Sequence, residues 1–347
     1  MTTSAARGAG TSPRKRRSWL CLLAVLAAGL LASCAKDAPQ DTLQPKGPVA
    51  RQIDNLIDPV FIVAGVVFVL VQGLVLVAVI RYRHREDAPE PVQIHGNTRL
   101  ELTWTLIPAL ILLVIAVPTI RTIFDLSRKP KNPVNVTVIG HQFWWEYRYD
   151  DYGIVSANEL HMPVGRPVEI TLEGDPTDVI HSFWIPSLGG KQDIIPGRTN
   201  HMHLIADEPG TYLGQCTEYC GLSHANMRAR AVALPPEEFD VWVANQKAPP
   251  VTPPQGTPAA EGMTLFTSKG CAGCHTIEGL SKGAVGPNLT HLQARGTFAG
   301  SMFDMTAGNL RTWLRDPPAV KPGSKMPNLN LSADEVTKLV AYLEALR

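Results

Sequence analysis

Residues 215–227 read Q-C-T-E-Y-C-G-L-S-H-A-N-M and put two thiols, an imidazole and a thioether (Cys216, Cys220, His224 and Met227) into one short stretch. These are soft donors, and proteins sort first-row metals by ligand softness and geometry. A structural zinc site is closed by Cys and His alone and has no use for Met227. A thioether beside Cys and His is instead the donor set of electron-transfer copper. Taken by itself, the stretch also fits a Cys216–Cys220 disulfide with Met227 as packing. A copper site here needs a further imidazole, and His141, His161, His181, His201 and His203 are candidates that spacing does not separate.

A second motif, Cys271-Ala272-Gly273-Cys274-His275, has the C-x-x-C-H spacing of covalent haem attachment. Two thiols form thioethers to the haem vinyls, and His275 is the proximal iron ligand. A redox dithiol competes, but the following His and G-P-N-L at 286–289 favour haem. Residues 261–347 resemble a small monohaem cytochrome c. That resemblance implies Met326, in G-S-K-M-P, as the distal ligand that raises the reduction potential, with Met302 and Met305 as rivals. Ser332 and Glu335 form a capping box before an apolar stripe of Val336, Leu339, Val340 and Leu343, which is ordinary helix core.

The six cysteines are fully accounted for. Cys21 lies in the apolar run 19–31 behind Arg14, Lys15, Arg16 and Arg17, the layout of a secretory signal over 1–33. Leu31-Ala32-Ser33-Cys34 resembles a bacterial lipoprotein box, which implies cleavage before Cys34 and a lipid on its sulfur. The remaining two pairs each sit in a ligand-type motif, so none is left for a disulfide framework. This weakens the disulfide reading of Cys216 and Cys220.

The elements that must position these residues follow a clear order. With 347 residues and 45% hydrophobic content, the chain is long enough for two or three domains. A net charge of +1 and the lack of a basic, aromatic-interleaved run exclude nucleic acid as a partner. Within 34–130, two uncharged apolar runs, 60–80 and 102–120, predict membrane spans at about 60–80 and 102–123. The basic cluster 81–85 between them puts the connection in the cytoplasm and both flanks outside, so the chain is a multi-pass protein of a bacterial plasma membrane with its redox domains on the outer face. Pro108 and Pro118 are tolerable inside the second span. Glu101, at its cytoplasmic mouth, suits either the helix dipole or proton traffic.

From 131 to 246 the pattern changes to short β-branched and aromatic runs at 134–139, 141–149, 168–172, 179–185, 201–205 and 228–234, the signature of a β-sandwich. The fold class is therefore multidomain: a two-helix transmembrane hairpin, an all-β sandwich, which the resemblance given below implies to be cupredoxin-like, and the all-α domain that resembles a cytochrome c. A Pro-rich linker at 247–260 joins the last two and spans on the order of 35 Å if extended. Residues 131–246 hold fifteen Asp/Glu against seven Lys/Arg, and 261–347 hold seven against nine. Opposite signs favour docking, and the tether supplies a high effective concentration.

C-x-E-x-C-G-x-x-H-x-x-M, preceded by D-V-I-H-S-F-W-I-P and P-G-R-T-N and by W-T-L-I-P-A-L at the second span, resembles subunit II of a haem-copper cytochrome c oxidase over about 55–245. With the fused cytochrome the resemblance is to the caa3 type. It implies a binuclear CuA centre of two coppers held by His181, Cys216, Glu218 through its backbone carbonyl, Cys220, His224 and Met227. It further implies a magnesium site near Glu218 and Asp193 at the subunit I boundary, and a proton-uptake role for Glu101. Many relatives carry Trp where Phe143 stands and receive electrons there, so Trp144 is the expected substitute. The implied partners are subunits I and III, a reduced cytochrome or cytochrome bc complex as donor, and the membrane. Electrons would pass from haem c to CuA and on to subunit I, where oxygen is reduced. Competing readings are the electron-input subunit of a CuA-containing nitric oxide reductase and a membrane-anchored copper-delivery module.

Overall fold

The computed structural model describes residues 38–84, 92, 93 and 95–347, together with Val25 and Gly29. Apart from Val25 and Gly29 the 1–33 segment lies outside the described residues, as do Cys34 and Arg85 of the basic cluster.

Two long helices come first, α1 (Pro48–Arg81) and α2 (Thr98–Leu126). Both are long and apolar enough to cross a membrane. Phe61, Leu70, Leu112 and Val114 stand exposed on them, as befits helices whose surroundings are apolar. Asn97 starts α2 by accepting the N–H groups of Arg99 and Leu100. α1 begins well before the apolar run opens, because its first turn is anchored on the folded domain behind it. Val49 and Ala50 are buried there, the Lys46 N–H donates to Ser187 O at 2.7 Å, and the Asp207 N–H donates to Lys46 O at 3.0 Å. Arg51 pairs with Asp207. A side chain at Gly47 would collide with the Ile205 carbonyl, so the approach requires glycine.

The sandwich consists of β1 (Val134–His141), β2 (Trp144–Tyr149), β3 (Ile154–Ala157), β4 (Glu159–Pro163), β5 (Val168–Gly174), β6 (His181–Trp184), β7 (Gln192–Ile194), β8 (Thr199–Leu204), β9 (Gly210–Cys216) and β10 (Arg228–Leu234). One sheet runs β3-β2-β1-β5-β8 and the other β4-β10-β9-β6-β7. The β1/β5 and β4/β10 pairs are parallel and the remainder antiparallel. Val138, Tyr147, Ile170, Leu160 and Phe183 meet in one core between the sheets. Tyr149 ties β2 to β4: its hydroxyl accepts the His161 N–H at 2.7 Å and donates to the His161 carbonyl at 2.9 Å. α3 (Pro236–Gln246) closes the domain with Trp242 stacked on the His161 ring at 4.6 Å.

The run 141–149, expected as one strand, is broken. His141 ends β1 and faces Trp144 at the start of β2, with Gln142 and Phe143 as the tip of the hairpin. No turn residue announces this, because the tip is held from outside. Asp178 accepts the Gln142 N–H at 3.1 Å, and the Gln142 amide donates to Cys220 O at 2.6 Å.

Beyond residue 257 the helices α4 (Pro258–Ser268), α5 (Ala307–Arg315), α6 (Pro317–Val320) and α7 (Ala333–Ala345) enclose a second core. α4 crosses α7 at Gly262, where any side chain would strike the Lys338 carbonyl. The Ser332/Glu335 box caps α7 in both directions, and Val336, Leu339, Val340 and Leu343 are buried.

Candidate metal centre and haem crevice

β9 ends on Cys216, and the chain returns to β10 immediately after Met227. The Cys216 N–H donates to Met227 O at 2.9 Å and closes the loop at its base. β6 lies beside β9 with Phe183 opposite Cys216, and this pairing brings His181 to the loop. Cys216 Sγ lies 3.8 Å from His181 Nδ1, 3.9 Å from Cys220 Sγ and 3.2 Å from Glu218 O. Cys220 Sγ lies 3.6 Å from His224 Nδ1 and 3.8 Å from Met227 Sδ. His181, Cys216, Cys220 and Met227 are buried and His224 is half-buried. Both thiols are free, their sulfurs at nearly twice the ~2.05 Å of a disulfide bond. Two sulfurs flanked by two imidazoles, a thioether and a carbonyl fit a pair of soft metal ions.

The charges of the site are set by its neighbours. Cys220 holds the Cys216 thiol well down against the opposing effect of burial, and the same contact pushes Cys220 well up. Burial disfavours a charged His181, but Asp178 and Cys216 outweigh it and raise its pKa. Asp178 is itself buried, yet His181 and the N–H groups of Val179 and Gln142 keep its carboxyl well below the usual range, with Lys325 assisting. A carboxylate behind a ligating imidazole fixes its tautomer and orientation.

The second site is a cavity of about 450 Å³ lined by Cys271, Cys274, His275 and Met326, with walls from Phe298, Leu310, Leu314 and Leu339. His275 Nδ1 lies 2.9 Å from the Pro287 carbonyl, which leaves Nε2 for a metal. Gly286 packs on the same ring so tightly that a Cβ would sit 2.6 Å from it. Trp313 Nε1 donates to Met326 Sδ at 3.1 Å. An apolar cavity carrying two thiols, one imidazole and one thioether fits a covalent haem. Met302 and Met305 do not line it. Gln142, Phe143, Trp144 and Asp178 of the sandwich line the same cavity, so it is closed by both domains.

The remaining sequence candidates lie elsewhere. His141 stacks on Trp144 at 4.3 Å and faces Glu146 at 3.4 Å. His161 stacks on Trp242, and His201 and His203 lie on β8. Among the described residues, the group with ligand atoms gathered within 4.8 Å is His181, Cys216 and Cys220, and neither Asp193 nor Glu218 belongs to it. Asp193 stands opposite Ser182 on β7 and pairs with Lys191 at 3.2 Å. Glu101 occupies the first turn of α2 with its carboxyl turned against Gly96. Sequence reasoning missed Asp178, Gln142, Ser223 and Lys321. Asp178 alone left a signal, three residues before His181 in D-V-I-H.

Comparison with known proteins gives three family matches, which together span most of the chain. The family described as cytochrome C oxidase subunit II, transmembrane domain, matches residues 40–122, its periplasmic domain matches 154–233, and cytochrome c matches 259–347. The cytochrome c oxidase subunit 2 of Alkalihalophilus pseudofirmus is 40% identical over 326 residues, covering 91% of this chain and 94% of the relative. That of Bacillus sp. strain PS3 is 38% identical, covering 77% of this chain and 80% of the relative. Among solved structures, the periplasmic domain of subunit II of cytochrome oxidase from Bradyrhizobium japonicum is 32% identical with a TM-score of 0.33, covering 34% of this chain and 96% of that one.

Proposed function

The chain belongs to the cytochrome c oxidase subunit II family, as the electron-input subunit that brings CuA copper and haem c to subunit I of a haem-copper oxidase, and on that premise we propose how its residues divide the work. His181, Cys216, Cys220, His224, Met227 and the Glu218 carbonyl would hold the copper pair. Cys271 and Cys274 would carry the haem, and His275 and Met326 would hold its iron. When bound, the two groups supply one-electron chemistry at neighbouring sites of one chain. Asp178 orients His181, the Pro287 carbonyl orients His275, and Trp313 orients Met326.

The observation that carries this reading is the single cavity lined by the haem ligands and by Gln142, Phe143 and Trp144 of the copper domain. Trp144 is the aromatic wall through which electrons leave the crevice. Transfer is then intramolecular. Stopped-flow reduction of the purified complex tests it: reduction of the haem by an external cytochrome slows with added salt, whereas the following reduction of copper does not. Copper that is reduced before haem, or whose reduction slows steeply with salt, overturns this route.

The finer assignments complete the reading. Residues 1–33 are a signal peptide and Cys34 carries a lipid. Residues 34–130 form the membrane hairpin, 131–246 the copper domain, 247–260 the linker and 261–347 the cytochrome domain. α1 and α2 cross a bacterial plasma membrane, with the basic connection in the cytoplasm and the redox domains outside. Glu101 guards proton uptake into subunit I, and Asp193 with Glu218 faces a magnesium ion at that boundary. Subunit III and a reduced cytochrome or cytochrome bc complex are the further partners. The nitric oxide reductase and copper-delivery readings are not favoured, since the relatives matching most of the chain are cytochrome c oxidase subunits.

A further inference from the structure

Residues 321–325 lead directly into Met326, and they grip the copper domain. Lys321 is 3% exposed, and its Nζ donates at 2.7 Å both to Phe143 O in the copper domain and to Ala299 O in its own. The Pro322 carbonyl accepts the Ser223 hydroxyl at 2.6 Å. Ser223 is wholly buried and lies between Cys220 and His224, within the copper loop. Gly323, at φ +79°, brings the backbone so near that a Cβ would lie 3.1 Å from the Phe143 ring and 3.2 Å from Leu222. Gly300, at φ +73°, makes room on the other side, where a Cβ would fall 2.6 Å from Lys321 Nζ and 2.7 Å from Phe143 O.

A buried lysine without a carboxylate is costly, and burial pulls Lys321 down to about 7. An apolar side chain would seal the same interface at less cost. What the ammonium group adds is direction, because it pins two carbonyls from different domains to one point. The Ser223 bond adds a direct link between the two ligand loops. Only a short run of backbone separates Cys220 from Ser223 on one side and Pro322 from Met326 on the other.

We propose that the 321–325 strap, through Lys321 and Ser223, is a positioning element that holds the haem-ligand loop on the copper-ligand loop. One electron crosses this junction from reduced haem to the oxidised copper pair, with no proton or atom transferred. Phe143 and Trp144 are 5% and 9% exposed beneath the docked domain, so the cytochrome domain covers the aromatic tip of the copper domain. The proposal rests on the copper and haem ligands assigned above.

The test uses Lys321→Met, Ser223→Ala and the double variant in the full oxidase complex. Two readouts are taken: the rate of haem-to-copper transfer after rapid photoreduction of the haem, and amide hydrogen exchange over 142–144, 220–224 and 321–326. The double variant is expected to slow the transfer by on the order of tenfold or more, as small misplacements of reacting groups do, and to raise exchange in all three segments. Copper and haem content, their spectra and the rate of haem reduction by an added donor stay at the parent values. An unchanged interdomain rate or unchanged exchange overturns the proposal. Loss of copper or haem from the variants also overturns it, since the residues would then serve cofactor retention. A parent complex lacking copper or haem signals would instead refute the ligand assignment.

Discussion

Asp178 Oδ1 lies 3.6 Å from His181 Nε2, and the other nitrogen of that ring lies 3.8 Å from Cys216 Sγ. Carboxylate, imidazole and thiol thus stand in line, with the carboxylate buried and backed by two backbone N–H groups. Asp178→Asn keeps the shape and removes the charge. Copper affinity, measured by competition with a chelator, is expected to fall by about 10–100-fold, with a shifted copper absorption spectrum. Unaltered affinity would mean that His181 is oriented by packing alone.

Met326 is expected to set the haem potential. Met326→His leaves the thioether links at Cys271 and Cys274 intact and replaces a sulfur ligand by nitrogen, which lowers the reduction potential. Potentiometric titration of the purified complex checks this. A potential equal to that of the parent would hand the distal position to another residue.

Glu101→Ala is expected to slow steady-state oxygen turnover while the copper spectrum and the haem-to-copper rate remain those of the parent, because Glu101 lies at the start of α2 and outside both redox sites. Full turnover in the variant would reduce Glu101 to a helix-dipole partner.

His161 makes the copper domain acid-sensitive. Burial against Trp242 lowers its pKa to about 4, whereas the unfolded value is about 6.5. Between those values the unfolded chain binds a proton that the folded one refuses. The stability held by the neutral ring is therefore complete above the unfolded value and is lost as pH falls from there towards about 4. The gap amounts to roughly 3 kcal/mol. His161→Phe, which can still stack on Trp242, is expected to flatten the dependence of the unfolding midpoint between about pH 7 and pH 5. An identical slope in parent and variant would assign the acid sensitivity to other groups.

The chemistry of both centres was legible in the sequence because most of the donors sit within two short stretches. Cys216, Cys220, His224 and Met227 share one loop, and Cys271, Cys274 and His275 share one turn. The two membrane helices were legible because long uninterrupted apolar composition suffices to specify them. The α7 cap and stripe were legible because both are encoded at helical spacing. Distance along the chain defeated the rest. His181 stands 35 residues from Cys216 and joins it through the β6/β9 pairing, a choice among five histidines that spacing did not make. The break at Gln142 and Phe143 is held by Asp178 and Cys220, not by turn residues. Among the bonds that dock the cytochrome domain are pairs separated by 99 and 178 residues, Ser223 with Pro322 and Phe143 with Lys321. In those pairs the acceptors are backbone carbonyls, which carry no side-chain signature, and the lysine reads in the sequence as an ordinary solvated loop residue. Residue type determined which ions and cofactors the chain can hold. Only tertiary packing, which buries Lys321 and brings carbonyls from two domains to one point, decided that the two ligand loops meet.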